Sequence, residues 1–315
     1  MNNSQDLVPL GKTELRITTV GVGAWAWGDR MIWGYGGSSY TDDDIRAAFD
    51  VSLASGTNWF DTAEIYGLGK SERFLGKFLP SATKEVLVAT KFFPFPWRLR
   101  KSALLRALKK SLKRLQLSHV DLYQIHMPFG RWSKPEYVSA LADAVEAGLT
   151  RSVGVSNFDT EKTKRANESL QAAGIPLASN QVEYSLFDRS IEKNGLLAYC
   201  LENEITVIAY SPLAKGMVTG KYGPDNPPPG PRKRMYPREK LQRAQPLINL
   251  LREIGSRHDK SNAQVALNWT ICKGTVPIPG AKNAKQAAEN LGAMGWRLTS
   301  DEVTALDEAS NALAG

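Results

Sequence analysis

With two cysteines and three histidines in 315 residues, the chain has little with which to staple itself or to ligate a metal. Cys200 lies in a leucine-rich helical stretch and Cys272 beside Trp269 and Ile271. Both read as buried, reduced thiols, which fits a reducing compartment. No His/Cys/carboxylate cluster falls at ligand spacing, so no metal site is expected. Long apolar runs are also missing: the longest are strand-sized, short of the roughly 20 residues that span a membrane. The opening residues, MNNSQDLVPLGKTELRI, show no basic segment followed by an apolar stretch, so no secretory signal is read there. A cytoplasmic location is expected, with the plastid stroma as the alternative should a transit peptide have been removed.

What is present favours one large folded unit. Hydrophobic residues make up 42% of the chain and charged ones 23%, enough for a substantial core. The net charge of +8 raises affinity for polyanions in general. Its carriers are scattered along helical surfaces, as in LRKSALLRALKKSLKRL from Leu99 to Leu115, where leucines fall at helical spacing and the basic residues take the other face. That pattern reads as a solvated face. No recognition motif accompanies it, so no nucleic-acid partner is expected.

Strand-like runs alternate with amphipathic stretches. Strands are expected near Val20–Gly23, Trp59–Asp61, Val86–Thr90, Leu122–Ile125, Ser152–Val155, Ser179–Val182, Thr206–Ala209 and Thr275–Ile278. Helices are expected at Asp42–Ser55, Ser71–Phe78, Lys101–Leu115, Pro135–Ala147, Asp159–Ala173, Ile191–Asn203 and Asn262–Cys272, with Asn283–Leu291 closing the series. Eight such units with no break in composition predict an α/β fold, a single (β/α)8 TIM barrel over residues 1–315, rather than a doubly wound sheet. LVPLGKTELRIT resembles a short hairpin able to plug the barrel's lower end. Tyr222–Pro237, YGPDNPPPGPRKRMYP, is rich enough in proline and glycine to exclude a regular element. It reads as a lid, since it follows the seventh strand, and it leads to an extra helix near Arg238–Arg257.

Asp61 in FDTAEIYG, Tyr66 in the same segment, Lys91 in VLVATK and His126 in YQIHMP each lie at or just beyond a strand end. In a barrel those ends gather on one face. A desolvated lysine needs a carboxylate partner, and Asp61 is the natural one. The ammonium beside Tyr66 is then expected to lower the phenol's pKa, making Tyr66 a proton donor to a developing alkoxide. His126 is placed to polarise the same oxygen.

An oxygen that gains a proton needs a carbon that gains a hydride. Ser156, Asn157 and Gln181 form a set suited to reading a carboxamide such as that of nicotinamide. Tyr210 offers a ring for stacking, and Ser211–Gly216 a compact turn able to approach phosphate. PIPGAKNAKQAAEN, with Gly280 and Lys282, leads into a helix start of the kind that binds anions. No GxGxxG follows the first strand, so a Rossmann reading is weak.

These pieces together resemble the aldo-keto reductase family, of the bacterial and plant-plastid type, over nearly the whole chain: LGKTELRITTVGVGAWAWG, FDTAEIYG, VLVATK, DLYQIHMP, RSVGVSNF, NQVEYSLF, YSPLAKGMVTGKY and IPGAKN. The resemblance implies that Asp61, Tyr66, Lys91 and His126 form a catalytic tetrad with Tyr66 as the acid. It implies that Ser156, Asn157 and Gln181 hold the carboxamide, that Tyr210 stacks on the nicotinamide, and that Gly23, Ala24 and Trp25 border it. Ser211, Leu213 and Gly216 would line the pyrophosphate; Gly280, Lys282, Gln286, Glu289 and Asn290 would hold the adenosine end. Many relatives carry arginine where this chain has Gln286, so Lys282 is expected to favour NADPH over NADH.

Substrate preference is expected from aromatic loops: Trp25, Trp33, Phe92, Trp97 and Phe129 as pocket residues, with Trp27, Phe93, Phe95 and Trp132 on neighbouring segments. The expected activity is therefore NADPH-dependent reduction of aldehydes or ketones by a monomer acting on a small-molecule carbonyl. Two alternatives stand beside it: a cofactor-bound regulatory subunit with little turnover, and a Schiff-base barrel aldolase using Lys91.

Overall fold

The apolar runs pair in the order in which they occur. The computed structural model describes residues 6–37, 40–229 and 232–313. An antiparallel hairpin, β1 (Leu7–Pro9) and β2 (Arg16–Thr18), precedes the main sheet. Eight parallel strands follow in sequential order: β3 (Val22–Gly23), β4 (Trp59–Asp61), β5 (Leu87–Phe92), β6 (Val120–Ile125), β7 (Thr150–Ser156), β8 (Leu177–Glu183), β9 (Thr206–Tyr210) and β10 (Val276–Pro277). The two outer strands then meet. Gly21 donates its N–H to the Pro277 carbonyl at 3.0 Å, and Gly23 to that of Pro279 at 3.1 Å. A Cβ on residue 23 would stand 2.8 Å from the Ile278 carbonyl oxygen, so the seam needs glycine there. The result is a closed (β/α)8 barrel.

The strands β5 and β6 are buried at every position, as expected of parallel strands covered by helices. Helix starts are set by side-chain caps. Thr41 and Asp44 form a capping box on Asp42–Ala54, Ser261 and Gln264 another on Asn262–Cys272, and Asp159 caps Thr160–Gln171. Each cap is worth about 1 kcal/mol. Ser102–Leu115 buries Leu104, Leu108, Leu112 and Leu115 and turns its basic residues outward, as its pattern predicts. Among the described residues no helix is long and apolar enough to cross a membrane.

The hairpin does plug the barrel. Leu10, Leu15 and Ile17 join Trp59, Leu87, Leu122, Ala178, Ile208 and Val276 in one buried cluster. Burial of each large side chain contributes about 1.5–3 kcal/mol. Gly11 ties the hairpin turn to Thr206 Oγ1 at 2.8 Å.

Some sequence expectations change. The extra helix splits into Arg238–Arg243 and Gln245–His258, because Pro246 lacks the N–H that would continue the first. Pro135–Ala147 and Ile191–Asn203 likewise divide, at Ser139 and at Asn194–Gly195. Tyr222–Pro237 is not wholly irregular: Arg232–Met235, free of proline and glycine, makes a helical turn, and residues 230 and 231 lie outside the described residues. The series does not close at Leu291. A further helix, Ser300–Asn311, starts on the Thr299/Glu302 capping box. Cys200 is buried as expected, but Cys272 is only partly so.

Candidate active site

Strand ends bring the four proposed groups together. Asp61 ends β4, Lys91 is the penultimate residue of β5, and His126 follows β6 directly. Tyr66 opens a short 3-10 turn, Tyr66–Gly69, in the loop after β4. Lys91 is wholly buried and its Nζ donates to Asp61 Oδ1 and to the Thr62 carbonyl, the latter at 2.9 Å. The same Nζ stands 3.4 Å from the Tyr66 hydroxyl. Asp61 Oδ2 accepts from Gln181 Nε2 at 2.8 Å and from Gln124 Nε2 at 3.4 Å. A buried ion pair survives only when its remaining lone pairs are met, and here they are.

The rings around Tyr66 fix its direction. Trp25 stacks on it at 6.0 Å and 28°, and His126 meets it edge to face at 5.7 Å. His126 Nδ1 is buried with no hydrogen-bond partner.

The electrostatics correct one expectation. The Tyr66 pKa is not lowered; it is held well above the ordinary value, first by burial and then by the Asp61 charge. Lys91 has committed its ammonium to Asp61, so it offsets little of the cost of a buried phenolate. Burial also lowers the Lys91 pKa, with Asp61 pulling it back up. His126 is pushed down to about 3 by burial and by the Lys91 charge, and is neutral near pH 7. The arrangement thus keeps a protonated phenol and a neutral imidazole side by side.

On the other side of the mouth, Ser156 Oγ donates to the Gln181 carbonyl at 2.8 Å. Asn157, at φ +61°, reaches the His126 carbonyl at 3.1 Å and Ser156 Oγ at 3.0 Å, and accepts from the Tyr210 hydroxyl at 2.8 Å. Ser156, Asn157 and Tyr210 therefore form one connected group. Gln181 does not point its amide nitrogen to them but to Asp61. Ser211, Ala214, Lys215 and Gly216 all have positive φ, and the turn closes on itself, the Ala214 N–H donating to the Ser211 carbonyl at 2.9 Å and the Gly216 N–H to that of Leu213 at 2.8 Å. Leu213 is partly buried within that turn. At the seam, Gly23 bridges Gly280, with Ala24 and Trp25 continuing the chain toward Tyr66. Asn290 donates to the Gly280 carbonyl at 3.1 Å, Gln286 is exposed and accepts from the Lys282 N–H, and Glu289 is partly buried. The Lys282 ammonium lies against the rings of Trp33 and Tyr40, at 4.7 and 4.9 Å from their centroids.

The aromatic set divides. Trp25, Trp33, Phe93 and Phe129 line the approach to His126 and Tyr66 through edge and stacked contacts. Phe92 does not: it alternates with the inward-facing Lys91, is fully buried, and packs on Trp132 at 4.4 Å on the helix side of the sheet. Trp27 and Trp132 are likewise interior. Trp97 stacks on Phe95 at 4.7 Å and is 73% exposed, an outer position.

Two participants escape a reading of the sequence alone. Gln124 is the polar residue in the otherwise apolar end of VDLYQI, a visible signal. Glu64 accepts from Phe93 N–H at 2.7 Å and pairs with Arg98, holding the loop that carries Tyr66. Nothing in its spacing marks that role.

The sequence model of the Aldo/keto reductase family matches residues 19–311 of this chain. A pyridoxal reductase of the chloroplast from Arabidopsis thaliana is 41% identical, over 94% of this chain and 84% of that protein. An NADP(+) aldo-keto reductase from Schizosaccharomyces pombe is 32% identical, over 87% of this chain and 83% of its own. Among solved structures, a glycerol dehydrogenase from Gluconobacter oxydans superposes with a TM-score of 0.83 at 28% identity, covering 98% of this chain and 95% of that one. An aldo/keto reductase from Klebsiella pneumoniae, in complex with NADP and acetate, gives 0.75 at 28%, over 96% and 95%.

Proposed function

The chain belongs to the aldo/keto reductase family, and from that premise we propose that it reduces aldehydes or ketones to alcohols at the expense of NADPH, with Tyr66 as the proton donor. The observation that carries this reading is the buried Lys91 ammonium, held by Asp61 and 3.4 Å from the Tyr66 hydroxyl. NADPH, when bound, supplies the hydride.

The chain's own residues fit such a cofactor. Ser156 and Asn157 present amide and hydroxyl partners beside Tyr210, the compact turn at Ser211–Gly216 is assigned the phosphate oxygens, and Lys282 sits ahead of the helix Ala284–Leu291. Gln286, Glu289 and Asn290 lie on that helix and are assigned the adenosine end.

The remaining work belongs to Tyr66, His126 and the aromatic rim. Tyr66 keeps its proton until an alkoxide develops, and the neutral His126 donates a hydrogen bond to that oxygen. Trp25, Trp33 and Phe129 exclude water and select flat, apolar substrates. Aromatic aldehydes are the favoured class, pyridoxal among them given the Arabidopsis relative's name. Tyr222–Pro237 is assigned as a lid, since Tyr236 donates to the Ala214 carbonyl of the phosphate turn at 3.3 Å. The protein is taken to act as a monomer, in the cytoplasm or a plastid.

The test is oxidation of NADPH, followed at about 340 nm against a panel of aldehydes, ketones and quinones, and repeated with NADH. Turnover with NADPH and aromatic aldehydes is expected. A protein that binds NADPH yet reduces nothing on the panel is a cofactor-binding regulator instead.

A further inference from the structure

A polar row crosses the barrel beneath the reactive pair. In the sheet register Lys91 pairs with Gln124, Gln124 with Gly154, and Gly154 with Ser179. Gln124 and Ser179 are fully buried. Ser179 Oγ reaches Gln124 Oε1 at 3.5 Å, and Gln124 Nε2 reaches Asp61 Oδ2 at 3.4 Å. Residue 154 leaves the space: a Cβ there would stand 2.3 Å from Ser179 Oγ and 3.2 Å from Gln124 Cγ. A barrel interior is ordinarily filled by branched apolar side chains. Polar groups set there need partners, and these supply one another's.

Asp61 Oδ2 has a second donor, Gln181 Nε2 at 2.8 Å. Gln181 is also a member of the set assigned to the cofactor's carboxamide, a step of this argument that rests on the proposed function. If Gln181 serves the carboxamide, it withdraws a donor from a carboxylate that is only 1% exposed, and a buried charge that loses a donor is costly. We infer that Gln124 is the positioning residue that holds Asp61, and through it Lys91, when Gln181 turns to the cofactor. Ser179 sets the amide of Gln124 so that its nitrogen, not its oxygen, faces the carboxylate. Binding of the cofactor then exchanges the nearer donor to Asp61 Oδ2, Gln181, for the farther one already in place, Gln124, instead of leaving that oxygen with neither.

The test compares NADP+ affinity, by quenching of tryptophan fluorescence, with the melting temperature of the cofactor-free protein. The proteins are wild type, Gln124→Met, Gln181→Met and the double variant. Gln124→Met is expected to weaken NADP+ binding about tenfold, or about 1.4 kcal/mol, while the cofactor-free melting temperature changes little because Gln181 still serves Asp61. In the Gln181→Met background no exchange occurs, so adding Gln124→Met is expected to leave NADP+ affinity unchanged and to lower the melting temperature instead. Should Gln124→Met fail to fold, Ser179→Ala, which frees the Gln124 amide to rotate, is expected to weaken NADP+ binding two- to threefold. Equal affinity for NADP+ in wild type and these single variants overturns the inference, as does a loss of affinity that persists undiminished in the Gln181→Met background. Wild-type protein that binds no NADP+ removes the assignment of the cofactor, and this role of Gln124 with it; wild type that binds while Gln124→Met binds equally removes only the latter.

Discussion

The Lys91 ammonium and the Tyr66 hydroxyl stand 3.4 Å apart, while the same ammonium is bound to Asp61. One cation is thus shared, unequally, between a carboxylate and a phenol. The consequence is a tyrosine that is oriented by the lysine but not ionised by it, since burial and Asp61 together hold its proton in place.

Tyr66→Phe removes the proton donor and little else. We expect kcat for carbonyl reduction to fall by about 10²–10⁴, the range for loss of a general acid, with NADP+ affinity kept. Steady-state kinetics alongside a binding titration decide it; normal turnover in this variant would show that another group gives the proton.

Breaking the Lys91–Asp61 pair strands a buried charge. Lys91→Met is expected to cost about 3–5 kcal/mol of stability, as removal of one partner from a buried pair does. The double variant Asp61→Leu/Lys91→Met should recover much of that loss, because no charge remains unpaired, and should stay inactive. Denaturant unfolding reads both, and a double variant less stable than Lys91→Met would contradict the argument.

The pH dependence follows from the directions of two shifts. Tyr66 must be protonated to give its proton, and its raised pKa keeps it so; the rate of reduction should therefore show no loss attributable to Tyr66 between about pH 6 and 9. His126 contributes a stability effect of the opposite sense. Its folded-state value, about 3, lies below the ordinary 6.5, so between those values the unfolded chain binds a proton that the native state refuses. Stability falls as pH drops through that window. His126→Gln, which takes up no proton, should lose less stability from pH 7 to 4 than wild type in parallel melting scans.

Lys282 carries the expected preference for a 2′-phosphate. Lys282→Ala should weaken NADP+ by tenfold or more and leave NAD+ nearly untouched, whereas Gln286→Arg should tighten NADP+ selectively through a bidentate pair with phosphate. Equal loss for both cofactors on replacing Lys282 would place it away from the 2′ position.

Much of this was legible in the chain. Asp61, Lys91 and His126 could be placed because each breaks or ends an apolar run, and a polar residue in such a place is a departure from what burial favours. The helix Ser300–Asn311 was missed although Thr299 and Glu302 announce its start; its weak apolar stripe hid it. Phe92 was misplaced because β5 runs two residues beyond the expected end at Thr90, and within a strand successive residues face opposite sides, so the neighbour of the inward-facing Lys91 becomes a packing residue. The bond from Gln181 to Asp61 joins residues 120 positions apart, and no local pattern encodes such a pairing. The raised pKa of Tyr66 was hidden for another reason: it depends first on how deeply the loop after β4 buries the phenol and then on its approach to the Asp61 charge, and both are set by the tertiary fold.

The seam between β3 and β10 carries a consequence for how the molecule is made. Gly21 and Gly23 find their partners only at Pro277 and Pro279, so a chain emerging from the ribosome holds its first barrel strand without a neighbour on that side until about nine tenths of it has been synthesised. The hairpin's Leu10, Leu15 and Ile17 wait in the same way for Ile208 and Val276. The barrel therefore cannot close until residues 276–279 are available to cover the open edge of β3.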